Sequence, residues 1–99
     1  MTSPNKQEGE RSGVSPYAVI DPREFLTGGM FRQAEYLNSI AAHDWNRYRD
    51  QRVLVRGCGD VPFPPWAYMV IATRLVGIAR NVRFGNEHDH VVVYRREKA

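Results

Sequence analysis

Cys58 is the only cysteine in the chain and stands between two glycines in "GCGDVPFPPWAYM", residues 57–69. Two imidazoles, His88 and His90, follow further on in "GNEHDHVVVY". Thiolate and imidazole together suit zinc or iron, so these three residues form the candidate metal-ligand set. His88 and His90 are two positions apart and would share one face of a strand. A thiol close to a helix N-terminus is also held as the reactive thiolate, which makes Cys58 a candidate persulfide carrier. The bland alternative is a small buried hydrophobe, since free cysteine is among the most buried residue types. An exposed acidic-imidazole turn is the corresponding bland reading of the histidines. Phosphate chemistry is excluded on two grounds. The cysteine is not followed by the Cys-x5-Arg loop of a tyrosine phosphatase, and Pro62, Pro64 and Pro65 leave few amides to cradle an anion. His43, in "HDW", is a further imidazole in reserve. Its expected role is structural, at a helix C-terminus where a protonated ring meets the dipole favourably, with Asp44 as a cap and Trp45 and Tyr48 on the core.

These groups can act together only if the chain brings them together. The apolar run in "RVLVRG" does not alternate, which marks a central strand. It leads into Cys58. Pro65 fits the first position of a helix through "WAYMVIATRLVGIA", in which Trp66, Tyr68 and Met69 are expected in the core. "NVRFG" is the next strand, "NEHDH" a turn, and "VVVYRR" the last strand. Residues 53–84 therefore form a strand-helix-strand unit with parallel strands and a right-handed crossover. The turn makes the last strand antiparallel. Cys58 and the His88 turn would then lie at the carboxyl edge of one sheet, where open α/β sheets gather ligands. Upstream, residues 17–20 can form a short strand. Asp21-Pro22 opens a helical turn, Gly28-Gly29 interrupts it, and Phe31, Ala34, Leu37, Ile40 and Ala41 recur at helical spacing. The expected fold is α/β: a small mixed sheet of three to four strands with a right-handed strand-helix-strand unit and two main helices.

Composition bounds the function. Ninety-nine residues with 42% hydrophobic content support one domain, over residues 16–95. Residues 1–15 hold no aromatic residue and read as a disordered tail, and residues 96–99 as a basic one. The net charge of +3 comes from scattered basic residues, and no nucleic-acid motif accompanies it. There is neither a secretory apolar segment nor a run long enough to span a membrane, and a lone cysteine forms no internal disulfide. The expectation is a soluble cytoplasmic protein without nucleic-acid or membrane partners.

"HDWNRY", "GCGDVPFPPWAYM" and "RNVRFGN", in this order, resemble an uncharacterised bacterial family, domain of unknown function 2480, over residues 20–94. "PxWAYM" and its spacing to "VxFG" are the most specific parts. Members of that family are nearly twice as long, with two copies of the strand-helix-strand pattern, each with a cysteine at the position of Cys58. Their genes tend to lie beside those of iron-sulfur cluster assembly. The chain has one copy, and His88 stands where the second copy carries a further cysteine. Cysteine and histidine exchange as metal ligands more readily than as core residues.

The thiolate and imidazole candidates, Cys58, His88 and His90, lead to the expectation of a small metal-binding protein, holding zinc or a two-iron iron-sulfur cluster. It would act as an accessory in iron-sulfur cluster or sulfur metabolism beside the iron-sulfur assembly proteins, rather than as an enzyme. The alternatives are a persulfide-carrying sulfur-transfer protein using Cys58 and an adaptor module without a site. A homodimer is expected on two grounds. The longer relatives join two copies, and the second helix is apolar on more faces than one small sheet covers. Two chains would offer the Cys2His2 set of tetrahedral zinc.

Overall fold

The computed structural model describes residues 16–57, 59 and 61–96. The expected tails at residues 1–15 and 97–99 lie outside the described residues, as does Cys58. Four strands, β1 (Ala18–Ile20), β2 (Arg52–Arg56), β3 (Asn81–Gly85) and β4 (His90–Arg95), form one sheet in the order β1-β2-β3-β4. β1, β2 and β3 run parallel, and β4 is antiparallel to β3. Helix α1 (Gln33–Ala42) links β1 to β2, and α2 (Pro65–Leu75) links β2 to β3. The mixed α/β sheet with two main helices is thus the expected fold, with the first strand parallel to the second.

Local chemistry sets the boundaries. Asp21 caps a short 3-10 helix, Pro22–Phe25, by accepting from the Arg23 amide at 3.0 Å, and Glu24 closes the capping box. Gly28 and Gly29 both take positive φ ahead of α1. Asp44 caps a second 3-10 helix, Trp45–Tyr48, by accepting from the Asn46 amide. Pro65 occupies the first turn of α2, where its missing N–H costs nothing.

Register and burial separate two sheet faces. Ile20, Val55 and Phe84 are aligned across β1, β2 and β3, as are Ala18, Val53 and Val82. These residues pack with Tyr36 and Ile40 of α1 and Ala67, Ile71 and Leu75 of α2, so both helices cover this face. The opposite row is Val19, Leu54, Arg83 and Val92. Leu54 is fully buried there.

Three expectations are corrected. The buried stripe of α1 is Tyr36 and Ile40, while Ala34, Leu37 and Ala41 are exposed. Aromatic packing shifts the phase: Tyr36 contacts Phe25, Phe31, Phe63 and Trp66, and its hydroxyl donates to the Ala67 carbonyl at 2.7 Å. Helix α2 buries one stripe, Ala67, Ile71 and Leu75, at the four-residue spacing of a single face. Met69, expected in the core, projects from the other side and is 64% exposed. Arg96 belongs to no free tail. Its amide donates to Arg80 and its guanidinium pairs with Asp50.

Candidate functional site

The carboxyl ends of β2 and β3 are neighbours. The Gly57 amide donates to the Gly85 carbonyl at 3.0 Å, so the chain leaving β2 toward Cys58 and the turn at residues 86–89 start side by side. Arg56 donates to the Glu87 carboxylate and ties the turn to the end of β2. That hydrogen bond, with the guanidinium charge, holds the Glu87 carboxyl below the usual range and raises Arg56. Asn86 shapes the turn, its side-chain oxygen accepting from the amides of His88 and Asp89 at 2.8 and 2.9 Å. Gly85 permits the turn: at φ 140° an added Cβ would stand 2.3 Å from the Asp89 carbonyl oxygen.

The two candidate histidines take different settings on this scaffold. His88 sits in the turn rather than on a strand, so strand alternation does not align it with His90. It is exposed. His90 opens β4 and is engaged on both nitrogens. Its Nδ1 lies 2.9 Å from the Asn86 carbonyl, which can only accept, so Nδ1 carries the proton. Nε2 then faces the Tyr17 hydroxyl at 3.4 Å. The Tyr17 ring packs edge-on against His90 and lies under the Arg83 guanidinium, 5.4 Å away. His43 accounts for its reserve place structurally. It ends α1, meets the Tyr48 hydroxyl at 2.7 Å and packs among Phe25, Trp45 and Tyr48. Among the described residues no three of His, Cys, Asp and Glu are grouped to hold a metal ion.

A different feature lies beside this edge. Tyr94 of β4 packs on the core, but among the described residues nothing covers Val93, and a groove of about 420 Å³ opens between it and α2. Phe63, Tyr68, Met69, Phe84 and Val93 supply most of its wall, with Val55 and Val82 as its floor. Met69, Val91 and Val93 are each more than half exposed. The Phe84 ring also approaches Gly57, so the groove reaches the strand end that precedes Cys58. The sequence contained one sign of it. Met69 lies two residues from Ala67, about 200° around the helix from the buried stripe.

These features define a small open-sheet α/β domain with helices on one face and an uncovered apolar flank. The chain belongs to the family described as protein of unknown function (DUF2480), which matches residues 14–96. No curated protein and no solved structure matches it. Among the described residues no helix is long and apolar enough to cross a membrane.

Proposed function

We propose that the chain is a small non-catalytic binding module that docks another protein surface through the groove between α2 and β4. The groove itself carries this reading: an open concavity walled by aromatic and aliphatic side chains, with Met69, Val91 and Val93 held out toward solvent. Contiguous exposed apolar surface of this kind marks contact sites in soluble proteins. A small-molecule site adds a few convergent polar or titratable groups to apolar walls. Among the described residues, the groups with shifted titration, Tyr48, Arg56 and Glu87, line none of this groove. The test is a photo-crosslinking phenylalanine analogue placed at Met69, with Gln33 as the exposed control on α1. A discrete adduct with protein from Met69 alone is expected in cells. Absence of an adduct at Met69, or equal labelling from Gln33, contradicts the reading.

A metal-binding accessory role in iron-sulfur cluster or sulfur metabolism is the second reading. It is favoured by the hydrogen bond from Gly57 to Gly85, which joins the strand ends leading to Cys58 and His88. Those two residues would supply thiolate and imidazole to zinc or a two-iron cluster. His90 is the poorer ligand, because its free nitrogen is turned to Tyr17. Elemental analysis with a visible spectrum tests this reading. Stoichiometric metal that falls in both Cys58→Ser and His88→Ala supports it, and metal-free protein or metal retained in both variants contradicts it.

A further inference from the structure

We propose that the sheet face turned away from the two helices binds single-stranded nucleic acid, with Arg52, Arg83 and Arg95 holding its phosphates. The inference stands apart from the groove, which opens on the other face.

Basic residues are scattered along the sequence, and strand alternation gathers them. Arg52 of β2, Asn81 of β3 and Arg95 of β4 are aligned in one cross-strand row. The next row on this face holds Leu54, Arg83 and Val92. Arg56 lies two residues beyond Leu54, so all four arginines of the strands share this face. None of the four strands contains an acidic residue. Glu87 pairs with Arg56 at the edge, and among the described residues no carboxylate pairs with Arg52, Arg83 or Arg95. Solvated surfaces usually intersperse both signs of charge. Neighbouring strands lie about 4.8 Å apart, so the backbones at Arg52 and Arg95 are about 10 Å apart, with Arg83 on the strand between. Planar guanidiniums at that spacing suit the oxygens of a phosphate chain.

Burial gives a second, independent sign. Asn81 is only 7% exposed, and its side-chain oxygen has no hydrogen-bond partner among the described residues. The buried Nε of Arg83 has none either. Folded proteins satisfy nearly all such atoms. A polynucleotide brings both partners: phosphate oxygens accept from Nε, and hydroxyl or base N–H groups donate to Asn81.

Aromatic rings select nucleic acid over an acidic peptide. Tyr17 packs edge-on against His90, with ring centroids 5.3 Å apart, and the Arg83 guanidinium lies over the Tyr17 ring. Both rings are half-buried, so part of each is open to a base. Single-strand sites combine a basic surface with rings on which bases stack, and a broad sheet face suits splayed bases better than a closed duplex. A run of carboxylates meets the charge but offers these rings nothing to stack on.

Fluorescence anisotropy of the whole chain with a labelled RNA strand of about 12 mixed nucleotides tests the proposal. The native chain is expected to bind this strand, and to bind it more weakly once it is annealed into a duplex. Arg52→Gln and Arg95→Gln alter exposed side chains. Each should weaken binding and lower the slope of log affinity against log salt by about 0.7. Tyr17→Leu should weaken binding about fivefold or more and leave that slope unchanged. Arg74→Gln, the same charge change at an exposed position of α2, should leave the slope unchanged. The proposal is overturned by a native chain that does not bind the strand at low salt, or that binds the duplex equally well. It is also overturned if Arg74→Gln lowers the slope as much as Arg52→Gln, or if polyglutamate displaces the labelled strand as readily as unlabelled RNA does.

Discussion

Arg56 and Glu87 show how a pair of exposed side chains locks the turn that carries His88. The Arg56 guanidinium depresses the Glu87 carboxyl, so the folded state holds the carboxylate more readily than the unfolded chain does. The contribution is present above the ordinary glutamate range and is lost as pH falls through it toward the lowered folded value. Arg56→Ala should raise the Glu87 titration midpoint, followed by NMR at its side-chain carboxyl carbon, toward the ordinary glutamate range, the backbone hydrogen bond leaving a smaller depression. A midpoint unchanged in that variant would show that the backbone, not Arg56, sets it. The adjacency of the strand ends at Gly57 and Gly85 was legible because both glycines close apolar runs. The engagement of His90 was not, because its partner Tyr17 lies 73 positions away and nothing local announces the contact.

At the scale of elements, the strands and the pairing of the last three followed from apolar runs and punctuating glycines and prolines, while the place of β1 beside β2 did not. The helix faces did not. Ala34, Leu37, Ile40 and Ala41 have helical spacing, yet the aromatic cluster around Tyr36 rotates α1 so that only Ile40 of this set is buried. Burial of a large aromatic outweighs several alanines, whose side chains have little apolar area to lose. Ile40→Ala should therefore cost about 2–5 kcal/mol, as a cavity in a packed core does. Leu37→Ala should stay within about 0.5 kcal/mol, as surface changes do. Chemical denaturation of the two variants compares them directly, and equal losses would restore the phase read from spacing alone. The breadth of apolar character in α2 was visible in the sequence, but its meaning depended on the sheet. One stripe meets the core, and the rest forms one wall of an open groove.

For the whole molecule, two helices on one face of four strands leave a flank that the chain's own described elements do not cover. α1 and α2 follow the three parallel strands, and β4 adds width to the sheet without adding a helix. The resulting groove carries the proposed binding role. Its central claim is that Met69, Val91 and Val93 face protein rather than water. Methyl NMR of the isotopically labelled chain in an extract of its own cells, with a soluble gadolinium chelate added, measures that exposure directly. Met30 and Val76 are the internal standards, being 56% and 55% exposed and outside the groove. Strong broadening of the Met30 and Val76 methyls is expected, with protection of those of Met69, Val91 and Val93. Equal broadening of all five would contradict it.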